Sequence, residues 1–112
     1  MTFPQISVKA TDVTLTPELQ GLIEQKLQPL GKFLHIRGDE KCDVELERTS
    51  GQQTGKIYRA EINLFSGGTL YRAEATEEQI EQAIDVARDD LRHELQKQSG
   101  KKRSLLQRGR RA

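Results

Sequence analysis

The chain has 112 residues, 34% of them hydrophobic, with no Trp and with 18 Lys/Arg against 17 Asp/Glu for a net charge of +1. That size admits one small domain with a modest core, burying roughly 60–70% of the surface its unfolded chain exposes. The single Cys42 excludes an intramolecular disulfide and a multi-cysteine zinc site, and no apolar run approaches the roughly 18–20 residues of a membrane span.

Phe3 to Ala10 alternate, with Ile6 and Val8 on one face and Gln5, Ser7 and Lys9 on the other, which predicts a half-buried first strand. Pro4 and Gln5 stand where a signal peptide would carry a basic and then an apolar run, so a cytoplasmic protein is expected. Thr16-Pro17-Glu18 reads as a helix start. Thr16 caps, Pro17 sits where no N–H is needed, and Glu18 lies near the positive helix end. Leu19, Leu22, Ile23, Leu27 and Leu30 follow as one apolar stripe. Pro29 would clash with the preceding turn of a continuing helix, so the regular helix should end near residues 26–28, with Leu30, Phe33 and Leu34 still packing inward.

A loop around Gly38-Asp39 leads to a second strand, where Cys42, Val44 and Leu46 alternate with Asp43, Glu45 and Glu47. Residues 49–55 form a polar hairpin loop. A third strand alternates Tyr58, Ala60, Ile62 and Leu64 with Arg59, Glu61 and Asn63. Ser66-Gly67-Gly68 supplies a tight turn, because paired glycines accept the positive φ a hairpin demands. The fourth strand runs Leu70 to Ala75, with Tyr71, Ala73 and Ala75 facing the core. Thr76 and Gln79 then fit a capping box for a helix whose stripe is Ile80, Ala83, Ile84, Ala87, Leu91 and Leu95, reaching about Lys97.

The order β-α-β-β-β-α predicts an α+β two-layer sandwich: a four-stranded sheet with two helices on one face. Residues 1–98 make the domain and residues 99–112 a basic tail, expected to be disordered alone. Charge divides along the same line. Residues 88–112 hold nine of the 18 basic residues against three acids, for +6, while residues 1–87 carry −5. A basic end on an acidic body points to a polyanionic partner.

The acids offer little chemistry. Asp43, Glu45 and Glu47 share one strand face, where pairing with Arg59 and Arg72 on neighbouring strands is expected. His35, His93 and Cys42 have no ligand-like spacing, and Cys42 reads as a small core residue. Ser66-Gly67-Gly68 lacks the Lys-Ser/Thr and helix of a phosphate loop. No catalytic residue, metal or cofactor is assigned. The cations carry more. Arg88 and Arg92 are four apart on the last helix, where Asp85 and Asp89 offer helical salt bridges. From Lys97 onward seven basic residues have no acidic neighbour, a pattern suited to polyanion binding by counterion release.

The ordered landmarks resemble the bacterial ribosome hibernation-promoting factors, also called ribosome-associated inhibitor A or ribosomal subunit interface proteins. The carrying residues are Leu15-Thr16-Pro17, Glu24, Lys26-Leu27 and Leu30-Gly31-Lys32-Phe33-Leu34. Then come Val44-Glu45-Leu46, Gly67-Gly68, Tyr71-Arg72-Ala73-Glu74, Gln82-Ala83-Ile84-Asp85, Leu91 and Leu95. The resemblance covers about residues 4–98. It implies a double-stranded-RNA-binding-domain-like fold and a non-enzymatic translation inhibitor that occupies the tRNA/mRNA channel of the small ribosomal subunit.

By position it implies rRNA contact through Lys26 and Lys32 around the first helix and Arg88, Arg92 and Lys97 on the second. The tail residues Lys101, Lys102 and Arg103 would add to them. The implied partners are the small subunit, its rRNA and ribosomal proteins, with no membrane and a monomer off the ribosome. Ribosome pairing through the further domain of the family's long form is not expected. Asp90 and His93 depart from the pattern, standing where members carry Lys and Arg. The alternative is a module of the same fold serving a non-ribosomal RNA or protein.

Overall fold

The computed structural model describes residues 3–34, 37–49 and 55–111, with side chains described up to Gln98. The elements are β1 (Ile6–Thr11), α1 (Pro17–Leu27), a 3-10 segment (Gln28–Phe33), β2 (Lys41–Arg48), β3 (Tyr58–Ser66), β4 (Thr69–Glu77) and α2 (Ile80–Arg111). The sheet order is β1-β2-β3-β4, with β1 parallel to β2 and the two later pairs antiparallel. This is the expected α+β arrangement.

Local chemistry fixes each boundary. Thr16 Oγ1 accepts from the Leu19 N–H at 3.1 Å, and Pro17 follows as the first helical residue. The α-helix ends at Leu27, because Pro29 cannot continue its hydrogen bonds, and the chain tightens into 3-10 turns. Gly67 and Gly68 take φ of 60° and 78°, the left-handed pair of a two-residue hairpin turn.

The core lies between sheet and helices. Ile6, Cys42, Val44, Leu46, Ala60, Ile62, Leu64, Ala73 and Ala75 from the strands meet Ile23, Leu27, Leu30, Ala83, Ile84, Ala87, Leu91 and Leu95. The alternation read from β2 holds, and that of β3 holds from Ala60 to Leu64 except that Glu61 is also buried, while Tyr58 stays outside the core. Small residues on both β4 and α2 let the helix seat closely over β3 and β4. Leu91 is completely buried, so truncating it would cost about 2–5 kcal/mol.

Three sequence expectations need correction. Thr76 does not cap α2: it stays in β4 opposite Arg59, and β4 continues to Glu77 opposite Tyr58. Ladder hydrogen bonds hold those residues extended, and the helix opens later, with the Ala83 N–H donating to the Gln79 carbonyl at 3.0 Å. Helix α2 does not stop near Lys97 but runs through Gly100 to Arg111. Extending a formed helix is far easier than starting one, and one internal glycine costs only about 1 kcal/mol.

The third correction concerns the outer sheet face. Arg59 and Arg72 turn to Glu61 and Glu74 rather than to the β2 acids. Residues 50–54 of the expected hairpin loop, and His35, lie outside the described residues.

Candidate nucleic-acid interface

The cations singled out from the sequence lie mainly on the helix layer, but they do not form one strip. Lys26, in the last turn of α1, reaches across to Asp85 of α2. One turn further along α2, Arg88 Nε meets Asp89 Oδ1 at 3.0 Å, while its Nη2 lies 4.0 Å from Asp85 Oδ1. Arg92 Nη2 lies 3.8 Å from the same Asp89 oxygen. Lys26, Arg88 and Arg92 therefore gather at the junction of the two helices, interleaved with two aspartates.

Lys97 is separate. Nine residues from Arg88, it projects about 180° around the helix axis, and its ammonium pairs with Glu94 at 3.7 Å. Lys32 belongs to the 3-10 segment. Its ammonium sits 5.3 Å from the centre of the Phe33 ring, and it has no ion-pair partner among the described residues. Lys101, Lys102 and Arg103 lie on the backbone of α2, and their side chains are outside the described residues.

The Asp85–Arg88, Arg88–Asp89 and Asp89–Arg92 pairs follow from spacings of one and three residues and were legible in the sequence. Lys97, expected to have no acidic neighbour, instead pairs with Glu94 three residues before it. The Lys26–Asp85 bridge was not legible, because its partners are 59 residues apart and meet only once α1 and α2 share a sheet face.

The opposite surface carries a row of acids across neighbouring strands. Glu45, Glu61 and Glu74 lie side by side across β2, β3 and β4. Like charges so placed repel, and two arginines hold the β3–β4 pair together. Arg59 Nη2 donates to Glu61 at 2.9 Å and Glu74 at 2.7 Å. Arg72 Nε donates to Glu61 at 2.8 Å, and Asn63 Nδ2 to Glu61 at 3.1 Å.

The Glu61 side chain is only 7% exposed. Burial pushes its pKa up, but the hydrogen bonds from Asn63 and Arg72 and the charge of Arg59 outweigh this and bring it down to about 2. Asp43, Glu45 and Glu47 have no ion-pair partner among the described residues. Two surfaces thus lie back to back, a helix layer with gathered cations and a sheet face with unpaired acids.

Reactive chemistry has little footing. Cys42 is buried in the core, and burial, with the adjacent Asp43 charge second, pushes its thiol up to about 12. It stays protonated at neutral pH and is no nucleophile. Among the described residues no group of three His, Cys, Asp or Glu side chains could hold a metal ion, and no helix is long and apolar enough to cross a membrane.

Known proteins are similar to this chain in sequence and in fold. A ribosome hibernation promotion factor from Picosynechococcus is 23% identical over 93 residues, covering 83% of this chain and 48% of the relative. The chain therefore matches about half of that relative's length. Two solved structures share the fold. The N-terminal domain of Protein Y from Thermus thermophilus has a TM-score of 0.67 at 24% identity, covering 82% of this chain and 93% of that one. A ribosomal subunit interface protein from Coxiella burnetii has a TM-score of 0.65 at 18% identity, covering 85% and 97%. The family profile described as sigma 54 modulation protein / S30EA ribosomal protein matches residues 6–103, from β1 into the C-terminal part of α2. With the sheet, α1, most of α2 and the cation-bearing junction inside that span, the chain belongs to the sigma 54 modulation protein / S30EA ribosomal protein family.

Proposed function

We propose that this chain is a ribosome-binding translation inhibitor of the hibernation type, working without catalysis. The observation that carries the reading is the family match over residues 6–103, which takes in α1, most of α2 and the cations at their junction. The name of the Picosynechococcus relative supplies the hibernation role.

In this reading the domain occupies the tRNA/mRNA channel of the small subunit. Lys26, Arg88 and Arg92 meet rRNA phosphates together, while Lys32 and Lys97 reach phosphates on either side. Lys101, Lys102 and Arg103 add charge along the far end of α2. Binding rests on shape and phosphate contact: backbone phosphates position a protein without reading sequence, and the acidic sheet face turns away from RNA. The protein acts in the cytoplasm, where its ribosomal partner is, and as a monomer.

The test is co-sedimentation of the purified protein with ribosomes and isolated small subunits at low and moderate salt. Pelleting with small subunits, weakening steeply as salt rises, is the expected result. Protein left in the supernatant at low salt would remove the reading. A second reading, a module for another RNA or protein, is favoured by the aspartates that neutralise the helix junction. Equal affinity for free duplex RNA and for ribosomes would establish it.

A further inference from the structure

We infer that Asp89 is a specificity-determining residue, an internal counter-ion that holds Arg88 and Arg92 and keeps the helix junction from binding RNA indiscriminately. The inference rests on the ribosome-binding reading above and adds how that site would discriminate. One Asp89 oxygen lies 3.0 Å from Arg88 Nε and 3.8 Å from Arg92 Nη2, where a bridging phosphate oxygen would sit.

Asp89 differs in kind from Asp85. Asp85 ties α2 to Lys26 of α1 and so belongs to the packing of the two helices. Among the described residues Asp89 contacts only cations of its own helix and joins no second element, and its side chain is 43% exposed. Its ion pairs serve the arginines rather than the fold.

The electrostatics give two consequences. Lys26, Arg88 and Arg92 bring three positive charges to the junction and Asp85 and Asp89 remove two, so the cluster presents a net charge of +1. Any polyanion approaching it meets the Asp89 carboxylate as well as the arginines, which lowers affinity for RNA in general. A guanidinium has five N–H donors, and Asp89 engages few of them. The others stay free to meet phosphates whose positions match the arginine geometry Asp89 fixes. A rigid, matched rRNA surface keeps its contacts with Asp89 in place, whereas a generic duplex experiences mainly its repulsion.

The experiment measures binding of the full chain to a plain duplex RNA and to ribosomes, for wild type, Asp89→Asn and Glu47→Gln. Glu47→Gln removes the same unit of negative charge from the outer sheet face. Asp89→Asn is expected to tighten duplex binding about fivefold at low salt. The salt dependence should steepen by about one released counterion. Ribosome binding should gain less than duplex binding, because the repulsion removed is offset by losing the arginine geometry Asp89 fixes, and Glu47→Gln should leave both nearly unaltered.

The gain should vanish when Asp89→Asn is combined with Arg88→Gln and Arg92→Gln. No gain on the duplex, an equal gain from Glu47→Gln, or equal gains on duplex and ribosome would overturn the inference. A wild-type protein that does not bind ribosomes would instead overturn the functional reading, and the duplex arm would still decide whether Asp89 screens the arginines.

Discussion

The two surfaces of this small domain use the same residue types for opposite ends. On the outer sheet face, Arg59 and Arg72 converge on a nearly buried Glu61, and their donors are spent on holding like-charged strands together. On the helix layer, Arg88 and Arg92 share one exposed aspartate over distances of 3.0 and 3.8 Å. The difference lies in burial. A buried carboxylate makes its arginine partners structural, because breaking such a pair strands a charge. An exposed carboxylate leaves its partners exchangeable, since surface pairs contribute at most about 1 kcal/mol. Arginine content alone therefore does not tell a structural surface of this domain from one whose arginines are free to exchange partners.

The contrast can be broken most forcefully from the sheet side. Glu61→Gln should destabilise the fold by roughly 2–4 kcal/mol at neutral pH, read by urea or thermal unfolding, because both arginines lose their shared acceptor. The folded pKa of Glu61 lies near 2, against 4.5 for an ordinary glutamate. The Glu61 contribution is thus fully present above about pH 4.5 and is lost as pH falls toward 2. Wild type should lose stability across that window more steeply than the Gln variant. Parallel pH curves would show that Glu61 is not a structural acceptor.

A smaller effect is expected at the helix junction. Asp85→Asn breaks the Lys26 bridge, which is only partly buried, and should cost about 1 kcal/mol or less. A loss as large as that of Glu61→Gln would place the junction among the structural networks and erase the distinction.

Much of the fold was legible because its determinants are local. Thr16-Pro17 sets one helix start, Pro29 ends that helix, Gly67-Gly68 makes the hairpin, and two-residue alternation orients β2 and β3. The errors arise where a distant partner decides. The β3 ladder keeps Thr76 extended against its capping tendency. Arg59 stands directly opposite Glu47, yet turns to Glu74 and to Glu61, whose burial depends on the whole sheet.

The placement of the candidate cations was half legible. Lys26, Arg88 and Arg92 do gather, but Lys97 projects from the other side of α2, because nine helical residues span two and a half turns. The Lys26–Asp85 contact could be found only from the topology.

The most direct test of the account compares ribosome affinity after charge removal from each surface. The double substitution Arg88→Gln, Arg92→Gln removes cations from the helix junction, and Lys9→Gln removes an exposed cation from the outer sheet face. The account predicts a loss of tenfold or more for the double variant, with a salt dependence shallower by about two counterions, and a change within about twofold for Lys9→Gln. Comparable losses from both surfaces, or an unaltered double variant, would contradict the claim that the helix layer meets the ribosome.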